Sequence, residues 1–340
     1  METNAAHSLL AMAEAADAGL TGLDARTWLE RLEGSLGELQ SGFEWLLIHD
    51  RTGALRMATG LAGFWRLSGR IPEGRAWLDQ ASAAADPDDA AMPRALYENA
   101  LLAFWQGDDA VTRSLLERSL GMARRRRDTT GEATALCGMA RVELREGNLD
   151  RARGLCDEAL ERVRGTDDKV GRSNALHVLG VTAQMRGDLE VASGFMSQRM
   201  ELARELGQFS SVAGEACNLS VVERQLGNLE RATQLALEAL QLSDRRGDEW
   251  MVPYELSSLA GIAAAKTDFA RAAKLLGAAA AMMERMGTAW PPDEKPHFDA
   301  TRSAAEAGLG PGAFEQAWAD GERMPPSDAV ALALSAGSIT

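Results

Sequence analysis

Apolar residues in the middle of the chain follow a helical period, and the pattern repeats. In SNALHVLGVTAQMRGD, Leu176, Leu179, Gly180 and Ala183 fall at i, i+3, i+4 and i+7, one face of a helix. The equivalent places hold Leu136, Met139, Ala140 and Glu143 forty residues earlier, and Leu256, Leu259, Ala260 and Ala263 eighty residues later. Between such blocks the chain writes EGNLDRA, RGDLEVA and LGNLERA, starting at Glu146, Arg186 and Leu226. Gly107-Asp108 and Thr267-Asp268 extend the forty-residue step to five turns, and Gly69-Arg70 is a looser sixth, thirty-eight residues before the first. A second set, Arg127-Asp128, Asp167-Asp168, Gly207-Gln208 and Gly247-Asp248, keeps the same step between them. Self-similarity at a period of about 20–50 residues marks a stacked array.

Two columns of small residues run through the array. Ala100, Ala140, Gly180, Ser220 and Ala260 form one, and Ala152, Ala192, Ala232 and Ala272 the other. Small side chains there let partner helices approach closely. The recurrent Gly-Asn/Asp is then the elbow of a helical hairpin: Gly ends one helix in the left-handed conformation, and Asn or Asp caps the next. The pattern predicts six hairpins over 51–286, a long helix from Thr27 to Ile48 before them, and an all-α fold.

These elements resemble the tetratricopeptide repeat: a small residue in the first helix, a Gly-Asn/Asp turn, then Leu or Phe and Ala at fixed offsets. The forty-residue step exceeds the usual length of about 34. It is similar to the longer repeats of bacterial ATP-dependent regulators, the LuxR activators of the maltose-regulator type and the antibiotic regulators of actinomycetes. The flanks resemble the ends of that domain, in HSLLAMAEAADAGLTGLDARTWLERLEGSLGELQSGFEWLL and in AAKLLGAAAAMMERMGTAWPPDEKPHFD followed by GAFEQAWADGERMPPSDAVALAL. The resemblance implies a right-handed α-solenoid of hairpins over 51–286, with a helical N-terminal cap over 1–50 and a helical C-terminal cap and tail over 287–340.

Composition narrows the function. Net charge is -14, which opposes broad contact with nucleic-acid phosphates. No apolar run approaches the roughly 20 residues that span a bilayer, and the N-terminus has no basic region of a secretory signal. Cys137, Cys156 and Cys217 lack metal-type spacing and suit a reducing cytosol, so the expected location is cytoplasmic. The chain lacks GxxxxGK[ST]; its nearest string, GTDDKVGRS, has one residue too many and Arg in place of Lys. With no ATPase signature and no helix-turn-helix segment, the chain is either free-standing or the repeat domain of a longer regulator carrying such modules. His7, His49, His177 and His297 form no metal motif, so no metal and no cofactor is expected. No GxSxG elbow or nucleophile triad occurs, and the acidic pairs Asp88-Asp89, Asp108-Asp109 and Asp167-Asp168 read as turn caps. The basic run Arg124 to Arg127 complements a helix C-terminus, and Met196, Met200, Met282 and Met283 read as packing residues.

The resemblance also implies where a ligand would sit, because the first helix of each tetratricopeptide hairpin lines the concave side. Carried over residue by residue, that surface holds Arg94, Tyr97, Leu101 and Trp105, then Thr134, Cys137, Arg141 and Arg145. Asn174, His177, Val181 and Gln184 come next, then Cys217, Val221, Arg224 and Gln225, and finally Tyr254 and Ser257. Arg141, Arg145 and Arg224 would draw carboxylate or phosphate groups. The expected function is non-catalytic recognition of a peptide, protein segment or small effector in that groove, in transcriptional regulation or signalling. The alternatives are a free-standing sequestering or resistance protein that binds a small molecule, and an enzyme with a site built in the groove. Six of the ten prolines fall between Pro291 and Pro326. Phe298, Phe314 and Trp318 there are expected to cover the last hairpin, from Tyr254 to Met286, since a terminal repeat needs a cap.

Overall fold

A computed structural model describes residues 2–288, 290–291 and 294–335; Pro292 and the last five residues of the expected tail lie outside them. Every regular element among the described residues is a helix, and the chain divides into two compact units at Val178 and Leu179.

Unit 1 opens with α1 (Thr3–Thr21), α2 (Ala25–Gly34), α3 (Leu36–His49), α4 (Arg51–Gly60), α5 (Ala62–Leu67) and α6 (Ile71–Ala84). The long helix expected from Thr27 to Ile48 is broken at Ser35, which leaves helical geometry at φ -103° and ψ 8°. Gly34, Ser35 and Gly37 crowd poor helix formers into one turn, and the chain bends there. Leu32 and Leu39, on either side of the bend, are both fully buried. Phe43 stacks on Trp77 at 4.2 Å, and Trp65 meets the same indole edge-on. Two hairpins come next, α7 (Met92–Trp105) with α8 (Asp109–Arg126) and α9 (Thr129–Arg145) with α10 (Leu149–Arg162), and then the start of α11 (Lys169–Arg186).

Unit 2 takes the rest of α11 and α12 (Leu189–Glu205). The hairpins α13 (Phe209–Gln225) with α14 (Leu229–Arg246) and α15 (Val252–Ala265) with α16 (Phe269–Arg285) continue it. Its last elements are α17 (Lys295–Leu309), α18 (Pro311–Glu322) and α19 (Pro326–Leu334). These three pack on α15 and α16 through Phe298, Phe314, Ala317 and Val330, with Trp318 at the edge. Glycines set the approach of α16 to α18. A β-carbon at Gly277 would lie 2.3 Å from the Trp318 carbonyl oxygen, and one at Gly321 would lie 2.0 Å from that of Lys274. No other residue lets the two backbones come so near.

The small columns are buried throughout, from Ala100 to Ala260 and from Ala152 to Ala272. All five forty-residue turns share one lock: the residue after the elbow donates its N–H to the carbonyl five positions back. These bonds are Asp108 to Ala103, Asn148 to Glu143, Asp188 to Ala183, Asn228 to Glu223 and Asp268 to Ala263, at 2.8–3.0 Å. This is the Schellman closure, which needs a left-handed residue at the elbow. Gly147 and Gly227 supply it at φ 78° and 84°.

The turns differ in chemistry, and Asp188, expected from the sequence to cap, makes no side-chain cap bond. Asp108 and Asp268 cap the following helix, accepting from the N–H of Val111 and Arg271. Asn148 and Asn228 do not cap, contrary to the sequence expectation. Their amides reach back to the buried Glu143 and Glu223 at 2.9 and 2.8 Å. Those glutamates also join helices. Glu143 receives Arg113 from α8 at 2.7 Å and Arg151 from α10 at 3.1 Å; Glu223 receives Ser193 from α12 at 2.7 Å. Burial works against the charge on Glu143, but the bonds from Arg113 and Asn148 outweigh it and hold the carboxyl below its ordinary range.

Two substitutions test these turns by chemical denaturation of the full chain. Thr267 holds the left-handed elbow at φ 64°, a strained place for a β-branched residue, so Thr267→Gly should add about 0.5–1 kcal/mol of stability. Asn148→Asp should cost about 1–2 kcal/mol at neutral pH, because it removes a donor and sets a second carboxylate against Glu143. Equal midpoints for the parent and the Asn148→Asp chain would refute the clamp.

Candidate ligand-binding surface

In unit 1 the first helices α7 and α9 and the start of α11 bear the residues singled out from the sequence. Arg94 is exposed and tied to Asp17 of α1, with Glu98 at 3.8 Å. Burial pushes the Glu98 carboxyl up to about 7 against the pull of Arg94 and Arg66. Tyr97 lies against Gly138 of α9: a β-carbon there would stand 3.4 Å from its ring. Burial drives its phenol well above the ordinary value, while the nearby Arg141 guanidinium pulls the other way. Leu101, Trp105, Thr134, Asn174 and His177 are half-buried, and Cys137 is buried.

The two unit 1 arginines grouped by the sequence have different roles. Arg145 turns to the α7–α8 corner, where it donates to the Phe104 carbonyl at 2.8 Å and to Asp109 at 2.7 Å. Its guanidinium also covers the Phe104 ring, 3.4 Å from the centroid. It is a strut between hairpins with little left to offer a ligand. Arg141 is half-buried and makes no hydrogen bond or ion pair with the described residues.

In unit 2 the corresponding face is made by α11 from Leu179 onward, α13 and α15. Cys217, Val221, Tyr254 and Ser257 are buried, Gln184 and Arg224 half-buried and Gln225 exposed. Burial raises the Cys217 thiol well above its ordinary value, helped by Glu294 and Glu255, so it carries its proton at neutral pH. Arg224 lies flat on Gly261 of α15, its Nε 2.9 Å from where a β-carbon would stand. That nitrogen is buried and meets no acceptor among the described residues. Burial lowers the arginine's pKa, and Glu294 acts against that.

Sequence reading missed three residues on this face: Trp290, Glu294 and His297. Trp290 stands edge-on to Tyr254 at 5.5 Å and stacks on Phe298 at 4.6 Å. The Gln184 amide donates to the His297 imidazole at 3.2 Å, so that ring nitrogen is an acceptor. Burial, and then the Arg224 charge, lower the His297 pKa and favour the neutral ring. Nothing in the repeat period points to these residues, because they lie beyond its last turn.

Comparison with known proteins bears on the fold. Residues 131–205 match the family model of the tetratricopeptide repeat, so α9 to α12 are two such hairpins. No curated protein gives a significant match. Among solved structures, the chain is similar to a Rap protein complexed with Competence and Sporulation Factor, at TM-score 0.60 and 13% identity over 92% of this chain and 85% of that one. It is similar to the Rap conjugation gene regulator of the plasmid pLS20 in complex with a Phr peptide, at TM-score 0.56 and 11% identity over 90% and 96%. The Cut9–Hcn1 hetero-tetramer of the APC/C gives TM-score 0.58 and 16% identity over 82% of this chain, which spans 48% of that one. At such identities the likeness concerns the fold. No helix among the described residues is long and apolar enough to cross a membrane.

The buried carboxyl of Glu255, between Tyr254 and Leu256 on α15, gives this face a pH signature. Burial pushes it up to about 8; the Ser243 hydroxyl, donating at 2.6 Å, opposes this, and Asp248 and Asp244 add to it. Its folded pKa is above the free value of about 4.3, so its contribution is complete below that pH and drains away as pH rises through about 8. Glu255→Gln should therefore narrow the gap in thermal midpoint between about pH 5 and pH 8.5. An unchanged gap would mean that Glu255 is charged in the folded chain.

Proposed function

We propose that this chain is a non-catalytic recognition module that binds a peptide or protein segment on the inner faces of its hairpins, in a regulatory or signalling role. The observation that carries the reading is Arg141. A half-buried guanidinium without a counter-ion among the described residues is costly, since it has lost water and gained no acceptor there. A ligand carboxylate beside Tyr97 would supply both charge and hydrogen-bond acceptors, in a fork geometry that arginine suits. Arg145, on the same helix, is spent on Asp109 and Phe104, and Arg94 on Asp17. Leu101 and Trp105 offer apolar contact along the same helix, and Asn174 and His177 offer polar contact on α11.

Two of the groups on the unit 2 helices support the non-catalytic reading. Cys217 is held protonated, and so is Glu255 near neutral pH. Neither is a ready nucleophile or base. A peptide is also what the conjugation gene regulator of the same fold holds.

The test is selection of a random peptide library on the full chain, followed by titration of the selected peptides. Selected sequences should be rich in Asp or Glu. Arg141→Ala should weaken them roughly tenfold to a hundredfold, the equivalent of a lost charged hydrogen bond, with the thermal midpoint unchanged. Equal affinity for the parent and the Arg141→Ala chain would remove Arg141 from the site.

A further inference from the structure

The inner face of unit 2 already has an occupant. The chain's own Trp290 and His297 contact Tyr254 and Gln184, and the Glu294 charge acts on Arg224, three of the residues assigned to ligand binding from the sequence. These contacts have the chemistry of a bound segment: an aromatic ring on a tyrosine and an imidazole on a side-chain amide, with a carboxylate whose charge acts on a half-buried guanidinium. Glu294 and His297 stand at i and i+3, at the start of α17, and so point the same way.

The attachment of α17 comes in two parts. From Phe298 onward the helix is held in the core, with Phe298, Thr301 and Ala305 buried and Gly308 pressed on the ring of Phe269. Before Phe298, His297 is held by the Gln184 amide, and Trp290 by the edge of Tyr254 and a stack on Phe298 at the margin of the core. The polar match is also incomplete: Arg224 Nε, buried on Gly261, has no acceptor among the described residues, and Glu294 acts on the guanidinium only through its charge. An outside carboxylate able to reach Nε would bind this arginine more fully than the resident one does.

We propose that the Gln184, Arg224 and Tyr254 face of unit 2 is a second segment-binding site, specific for an acidic helical start with an aromatic residue before it, and that Trp290, Glu294 and His297 hold it closed as an internal competitor. The proposal rests on the reading of the chain as a peptide-recognition module and adds the ligand's chemistry and its regulation. A tethered competitor acts at a high effective concentration, so the parent chain should show weak affinity until these contacts are broken.

The experiment uses the full chain and a fluorescein-labelled peptide of its own residues 286–300, read by fluorescence anisotropy. The parent should give no saturation below about 1 mM. The Trp290→Ala/Glu294→Ala/His297→Ala variant should bind at least about tenfold more tightly, and adding Arg224→Ala should abolish the gain. A cooperatively melting triple variant that binds no better than the parent overturns the proposal, and so does a gain that survives Arg224→Ala. Should the triple variant melt without cooperativity, Glu294→Gln decides by hydrogen exchange. The amides of Glu294, Lys295, His297 and Phe298 should exchange about tenfold faster while those from Thr301 onward stay unchanged, and equal rates overturn the proposal. Loss of the Arg141 effect in the library test would count against the site in unit 1 and leave this result standing, so the two can fail separately.

Discussion

Close approach of helices at the elbow is the constraint on which the rest of each unit depends. A hairpin whose helices touch at Ala100, Ala140, Gly180, Ser220 or Ala260 has no room for a larger side chain there. Gly180 shows how little room: a β-carbon would come within 2.9 Å of Met196 Cγ. Dense interiors tolerate such changes poorly, so the column stays small while neighbouring positions vary. The left-handed elbow and its bond to the carbonyl five back then set the angle at which the second helix returns.

With the helices set by apolar contact and turn geometry, charge takes a different task. Glu143 and Glu223 each gather donors from the helix before and the helix after, and so tie one hairpin to the next. Arg145 and Asp109 do the same from the other side of the elbow. Buried charges that are fully bonded are tolerated, and those left short of partners are costly. This distinction separates joints from candidate sites. Arg145 is saturated, while Arg141 and Arg224 Nε are not.

The two units put the same first-helix face to different use. In unit 1 it carries a titratable carboxyl, Glu98, beside Tyr97, and Arg141, which has no partner among the described residues. In unit 2 the corresponding face meets Trp290 and His297. The repeat supplies similar helices to both units, and the non-repeating residues past the last turn give one of the two faces its cover.

The sequence by itself determined the helical period, the elbows and the small columns, because each depends on neighbours in the chain. Leu176 to Ala183 read as one helix face from spacing alone, and Gly147 with Asn148 read as a turn from local backbone chemistry. Local reasoning also had limits close at hand: Asn148 looked like a cap, yet its amide turns back to Glu143, because that carboxylate is buried and gathers donors. Tertiary structure alone decided which charges are free. Arg141, Arg145 and Arg224 are alike in sequence, and their difference comes from Asp109, Phe104, Gly261 and Glu294, brought beside them by packing. The placing of Trp290 on Tyr254 was invisible for the same reason. A contact between residues far apart in the chain leaves no period to read, and only the packing of α17 against α15 and α16 brings it about.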